Sequence, residues 1–193
     1  MAKLVGITGG IGSGKSKVMQ YIASLGYPIY LSDEAGRSVM GKPEIIQKIQ
    51  SIFEENVITE SGLDRKKIGN IVFNNPEKLQ QLNAIVHPAV AEDFTNFITQ
   101  HAEEALIFYE SAILIETNNY KKFDCIILIT APKEVRIARV MERDQISREI
   151  VLERMKNQMC DEEKKKIANF EINNENFEDT KQKINEIIKK IKN

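Results

Sequence analysis

The stretch Gly9-Gly10-Ile11-Gly12-Ser13-Gly14-Lys15-Ser16 constrains this chain more than any other. It matches G-x-x-x-x-G-K-[ST] and follows directly on the apolar run Lys3-Leu4-Val5-Gly6-Ile7-Thr8. Glycines allow a backbone in which successive N–H groups point inward at phosphate oxygens. A helix is expected from about Lys15, with Val18, Met19, Ile22 and Leu25 on one face and Gly26 as its stop. Its positive N-terminal end strengthens an anion site. Tyr27-Pro28-Ile29-Tyr30-Leu31 then reads as a second strand. Strand, glycine loop, helix and strand make one βαβ unit, the signature of a parallel sheet. In such a loop Lys15 reaches the β- and γ-phosphates of a nucleotide, and the Ser16 hydroxyl ligates Mg²⁺.

The stretch from about 34 to 101 offers no convincing strand. Ile45, Ile46, Ile49, Ile52 and Phe53 fit one helix face. Leu79, Leu82, Ile85 and Val86 fit a second, with Asn75 as N-cap and Pro76 at the first position. Pro88, Val90, Ala91, Phe94, Phe97 and Ile98 fit a third helix beginning at Pro88. A run of helices inside an α/β chain reads as an inserted helical subdomain. Strands return at Leu106-Ile107-Phe108-Tyr109 and at Cys125-Ile126-Ile127-Leu128-Ile129, with a weak one near Phe170-Glu171-Ile172. Helices are expected at about 133–143 and 147–159, and a last one carries Ile184, Ile187, Ile188 and Ile191 on one face.

Charge narrows the function classes. Lys plus Arg number 27 and Asp plus Glu 28, a net charge of -1, so a basic coat for nucleic acid is not expected. No apolar run approaches the roughly 18 residues of a membrane span. The start at Met1-Ala2-Lys3-Leu4 lacks the pattern of a signal peptide, so a cytoplasmic location is expected. Cys125 and Cys160 make no disulfide framework and read as structural.

Two classes of phosphate-loop protein then compete. Asp33-Glu34-Ala35-Gly36 matches the D-x-x-G of nucleotide switches. It follows Lys15 by only 18 residues, however, and no Asn-Lys-x-Asp is present to read guanine. A small-molecule kinase needs a helical subdomain for its acceptor and an arginine-bearing lid. Asp33 lies just past the second strand, where ligands of open α/β sheets bind, and its carboxylate can take or orient an acceptor proton. As an Asp before a helix it also suits an N-cap. Arg136, Arg139 and Arg143 share one helix side and can stabilise charge on a transferring phosphate, or simply pair with Glu134, Glu142 and Asp144.

Several of these segments together resemble the dephospho-CoA kinase family over essentially the full length. They are the glycine loop with Ile7-Thr8 before it, Asp33 with Arg37, Leu63-Asp64-Arg65, Ile71-Val72-Phe73 and Asn75-Pro76. Leu82-Asn83-Ala84-Ile85-Val86-His87-Pro88 is the most distinctive, followed by Arg136, Arg139, Met141, Arg143-Asp144, Gln158 and Ile172-Asn173-Asn174. Three positions depart from the family pattern. Leu31-Ser32-Asp33 stands for Asp-Ala-Asp, Ala112-Ile113-Leu114-Ile115-Glu116 for Pro-Leu-Leu-x-Glu, and Ala168-Asn169 for Ala-Asp.

The resemblance implies a three-layer α/β/α phosphate-loop fold with a five-stranded parallel sheet. It implies a core of about 1–33, 102–134 and 165–193, a helical substrate subdomain of about 34–101, and a helical lid of about 135–164. It further implies transfer of the ATP γ-phosphoryl group to the ribose 3′-hydroxyl of dephospho-CoA, with Mg²⁺ arriving with the nucleotide. Asp33, Lys15, Arg139 and Arg143 are the catalytic candidates. Gly10, Ile11, Gly12, Ser13, Gly14, Lys15, Ser16, Lys17 and Asn174 are the ATP candidates, and Asp33, Arg37, Arg65 and His87 face the acceptor. A kinase for another small acceptor, such as a nucleoside monophosphate, and a nucleotide-binding regulatory protein stay open at this stage.

Overall fold

A computed structural model describes residues 2–192. In chain order its elements begin with β1 (Lys3–Thr8), α1 (Lys15–Ser24), β2 (Ile29–Leu31) and α2 (Ser32–Val39). They continue with α3 (Pro43–Gln50), β3 (Ile58–Thr59), β4 (Gly62–Leu63), α4 (Arg65–Phe73), α5 (Pro76–Gln100) and β5 (Leu106–Glu110). After a 3₁₀ turn at Asn119–Lys122 come β6 (Cys125–Thr130), α6 (Lys133–Asp144), α7 (Arg148–Lys156), α8 (Asp161–Lys165), β7 (Phe170–Asn173) and α9 (Phe177–Lys192). The chain divides into two compact units, one of Met1–Leu31 with His101–Asn193 and one of Ser32–Gln100.

The first unit is built on a five-stranded sheet in the order β2-β5-β1-β6-β7. Every pairing in it is parallel, with Ile7 opposite Glu110 on one side and Ile127 on the other. Both faces of β1 are buried, which is why its sequence is continuously apolar rather than alternating. On one face Val5, Ile7, Phe108, Ile127 and Ile172 pack with Val18, Met19 and Ile22 of α1 and with Ile184, Ile187, Ile188 and Ile191 of α9. The opposite face is covered closely at Gly6, where Leu114, Ile126 and Phe123 leave no room for a side chain. β2 is shorter than the run 27–31 because Tyr27 and Pro28 precede it, although the Pro28 carbonyl still accepts from the Phe108 N–H at 3.0 Å.

A buried ion pair ties α8 to the segment after β5. Lys164 is 0% exposed; its Nζ lies 2.8 Å from Glu116 Oε1 and donates to the Ala112 carbonyl at 3.1 Å. Removing the buried ammonium takes the counter-charge from Glu116, whose side chain is 21% exposed, at about 3 kcal/mol, the low end for a buried pair. Lys164→Met is therefore expected to lower the thermal midpoint by about 10 °C in a chain of this size. A midpoint within about 2 °C of wild type would show the ammonium to be dispensable.

The second unit is helical, with α2, α3 and α4 all packing on α5. Its core is Ile45, Ile49, Phe53, Val57, Ile68 and Leu82. Asp64 caps α4 by accepting from the Lys67 N–H at 2.9 Å, and Asn75 Oδ1 accepts from the Lys78 N–H at 3.0 Å at the start of α5. Two expectations are corrected here. The helix expected to begin at Pro88 is continuous with the preceding one, as a single 25-residue α5 with Pro88 inside. Proline removes one helical hydrogen bond at a cost of about 3 kcal/mol. Leu82, Ile85 and Val86 before it and Ala89 after it pack in one cluster, and their burial holds the helix through the proline. The stretch also contains two-residue strands, antiparallel β3 and β4, joined by a turn ending at Gly62 with φ 110°. Strands so short carry no alternation a sequence can display.

Candidate active site

The loop 9–14 runs from the end of β1 into α1, and Gly14 at φ 92° is the N-cap of that helix. Glycine is required there twice over: the dihedral is left-handed, and a Cβ would collide with Asn174 Nδ2. Lys15 opens α1 and is nearly buried. Its Nζ donates to the Gly9 carbonyl at 2.8 Å and lies 3.7 Å from Glu110 Oε1. Ser16, next on the helix, is exposed. Lys17 is also exposed, with its ammonium 4.1 Å from the Phe177 ring centroid.

Asn174 follows β7 and is 2% exposed. Its Nδ2 donates to the Ser13 carbonyl at 2.8 Å and its Oδ1 accepts from Thr180 Oγ1 at 3.0 Å. Both ends of its amide are thus used inside the protein, so Asn174 props the loop from beneath. Its own carbonyl accepts from Arg139 Nη2 at 2.9 Å, which brings that guanidinium beside Gly14. Among the described residues, four buried polar side-chain atoms lack a protein partner, and three of them gather here: Thr8 Oγ1, Ser13 Oγ and Arg139 Nη1. Buried polar groups are normally satisfied, and these three lie on the loop or on elements packed against it.

The other arginines of α6 differ from Arg139. Arg136 donates from Nε to the Ile11 carbonyl at 2.9 Å and pairs through Nη1 with Asp161 Oδ2 at 2.9 Å. The Arg143 side chain is 61% exposed, and it grips Asp144 through Nε and Nη2 at 2.7 and 3.0 Å. Arg154 also donates to Asp144, at 2.8 Å. The hydrogen bonds from Arg143 hold the Asp144 carboxyl below the usual carboxylate range. Arg139, unlike Arg143, has a donor to spare beside the loop without breaking any contact.

In the helical unit Asp33 stands exposed in the first turn of α2. It is inside the helix rather than capping it. Arg37 is near the end of α2, and its carbonyl accepts from Arg65 Nη2 at 2.9 Å. His87 is exposed on α5, one residue before the proline.

Three departures from the family pattern acquire structural roles. Leu31 packs against the sheet core, Ala112 supplies the carbonyl that Lys164 binds, and the Asn169 side chain accepts from the Ile126 N–H at 2.7 Å. Glu110 is the residue that motif reading missed. It is an acid ending the apolar strand β5 and buried against Lys15, and that break in an otherwise apolar run is the signal that could have found it. Among the described residues no group of three or more His, Cys, Asp or Glu forms a metal cage. Ser16 offers a hard oxygen, the donor type that Mg²⁺ prefers, and it fits a metal carried in by phosphates.

A family model described as dephospho-CoA kinase matches residues 3–179. A dephospho-CoA kinase of Fusobacterium nucleatum is 36% identical over 183 residues, covering 94% of each chain. One from Listeria innocua is 34% identical, covering 100% of this chain and 99% of its own. Among solved structures, a protein from Thermus thermophilus superposes with a TM-score of 0.88 at 34% identity, covering 98% of this chain and 97% of that one. A dephospho-CoA kinase from Campylobacter jejuni superposes with a TM-score of 0.67 at 28% identity, over 98% and 97%. A shikimate kinase from Acinetobacter baumannii, at 16% identity and a TM-score of 0.56, shares the fold.

Proposed function

The chain belongs to the dephospho-CoA kinase family, and we propose from that membership and from the loop geometry how its own residues carry out phosphoryl transfer. The reaction is that of an ATP-dependent kinase of coenzyme A biosynthesis: the γ-phosphoryl group of ATP passes to the ribose 3′-hydroxyl of dephospho-CoA, giving CoA and ADP. The observation that carries the nucleotide site is the glycine loop leading straight into the N-terminus of α1, with Gly14 as its N-cap and Lys15 as its first residue.

The α1 N-terminus and the loop amides not already used within the protein bind the β- and γ-phosphates. The Ile11 N–H is taken by Gln158, and those of Ser13 and Lys17 by the Gly10 and Gly14 carbonyls. Lys15 moves from the Gly9 carbonyl to the phosphates, a short exchange of one oxygen acceptor for a more strongly charged one. Asn174 acts through the loop, by holding the Ser13 carbonyl. Ser16 would hold Mg²⁺, which neutralises phosphate charge when it arrives with the nucleotide.

Asp33 is the general base. It takes the 3′-hydroxyl proton as that oxygen bonds to the γ-phosphorus and the bond to the β-phosphate oxygen breaks. Its support is its place in the chain, two residues beyond Leu31 at the carboxyl end of β2. Arg37, Arg65 and His87 bind the acceptor; what supports grouping two of them is the hydrogen bond from Arg65 Nη2 to the Arg37 backbone carbonyl. A cytoplasmic location suits these substrates, and no helix among the described residues is long and apolar enough to cross a membrane.

Arg139 and Arg143 stabilise charge on the transferring group. Arg139→Ala is expected to lower kcat/KM about 100-fold, the effect of losing one preorganised donor. Arg143→Ala should cost only about tenfold, because Arg143 must first release Asp144. Steady-state kinetics check this, and the reverse order would give the larger role to Arg143. The function itself is tested by ADP release with dephospho-CoA, with nucleoside monophosphates and with no acceptor. Release that needs dephospho-CoA is expected, whereas release independent of any acceptor would contradict the assignment.

A further inference from the structure

Both backbone polar groups of Ile11, in the middle of the glycine loop, are held by side chains from far along the chain. The Ile11 N–H donates to Gln158 Oε1 at 2.8 Å, and the Ile11 carbonyl accepts from Arg136 Nε at 2.9 Å. The Ile11 side chain packs against the separate apolar cluster of Ile137, Val140 and Val151, beside Ile146, Leu152 and Met155. Ile11 therefore belongs to the phosphate loop by sequence and to the α6–α7 core by packing.

The two gripping groups are themselves fixed. The Arg136 guanidinium is anchored at its other end by Asp161 Oδ2 at 2.9 Å. Gln158 lies on the short connection between α7 and α8, and Asp161 is the first residue of α8. Next to Gln158, the Met159 N–H donates to Glu116 Oε1 at 3.3 Å, and Glu116 is the carboxylate held by buried Lys164. The guanidinium lies so close to the loop that a Cβ on Gly10 would collide with Arg136 Nη2. Gly10 is thus needed for the approach of an arginine as well as for phosphate.

We propose that Arg136 and Gln158 are positioning residues for the phosphate loop, acting through the Ile11 peptide groups to set the direction of the amides that follow. The inference rests on the loop being the nucleotide phosphate site. Two peptide planes meet at Ile11. One is fixed through its N–H and the next through its carbonyl, so little freedom is left to the turn at Gly12. Without these bonds the loop pays an ordering cost each time a nucleotide binds. Neither side chain needs to touch the nucleotide for this.

The test is ADP affinity by calorimetry with Mg²⁺ present, together with kcat and both KM values, on the full chain. Gln158→Ala and Arg136→Lys should each bind ADP about tenfold more weakly and raise the ATP KM by a similar factor, with the dephospho-CoA KM unchanged. Gln158→Glu keeps an oxygen acceptor for the Ile11 N–H and should recover most of the affinity. Asp161→Asn loosens Arg136 without touching the loop and should give a smaller loss in the same direction. Thermal unfolding of each variant separates loop order from loss of fold. ADP affinity equal to wild type in both main variants overturns the proposal, as does equal weakening of both substrates or a loss that only follows the thermal midpoint. A wild-type protein that binds no ADP would overturn the reading of the loop itself, whereas unchanged variants of a binding wild type overturn only the positioning role.

Discussion

Lys15→Ala should lower kcat at least about a thousandfold while the protein stays folded. Lys15 is the one cation among loop residues 9–15, and it opens α1, where the proposed mechanism brings phosphate oxygens to the helix end. A neutral side chain removes charge stabilisation that grows as the γ-phosphoryl group transfers, so the loss belongs mainly to turnover. The substitution also takes a counter-charge from buried Glu110, 3.7 Å from Lys15 Nζ, and some stability should go with it. The double variant Lys15→Ala with Glu110→Gln separates the two effects. It should regain thermal stability without regaining turnover. Near-normal turnover in Lys15→Ala would remove the loop mechanism.

Asp33→Asn is expected to have a comparable effect by a different route. Asparagine keeps the shape of the side chain but cannot accept a proton at neutral pH. A lost general base costs about 10²–10⁴-fold in rate. ATP affinity should stay within about twofold, since Asp33 is proposed to act on the acceptor. Asp33 is exposed at the start of α2, so the substitution should leave the fold intact. Kinetics and nucleotide titration on the same protein decide the matter. If turnover and ATP affinity fall together, Asp33 is structural or metal-binding.

Much of the fold was legible because its signals are local. The apolar run of β1, the glycine loop and the helical spacing of Val18, Met19 and Ile22 lie within 22 residues, and together they dictate a strand, a phosphate loop and a helix. The continuity of α5 was not legible. Pro88 is a strong local stop signal, and the packing of Leu82, Ile85, Val86 and Ala89 on one core overrides it. The β3–β4 hairpin was too short to show a period.

In the candidate site, the loop residues stand out in the sequence, whereas the contacts that hold the loop from afar do not. Glu110 reaches Lys15 only because β5 lies beside β1 in the sheet. Arg136 and Gln158 meet Ile11 across 125 and 147 residues of chain, a proximity that sequence spacing cannot express. Asn174, a nucleotide candidate by resemblance, also holds the Ser13 carbonyl through its side-chain amide, a contact its spacing does not display. The net charge of -1 now has a clear meaning. In the proposed mechanism anionic ligands are met by loop amides, Lys15 and a few placed arginines rather than by a basic surface.

The central claim is transfer to one hydroxyl of one acceptor, and label tracing tests it most directly. With ATP labelled at the γ-phosphate and dephospho-CoA present, the label should appear in CoA, be released by an enzyme specific for 3′-phosphates, and be accompanied by an equal amount of ADP. Label found instead as free phosphate, whether or not dephospho-CoA is present, would contradict the account.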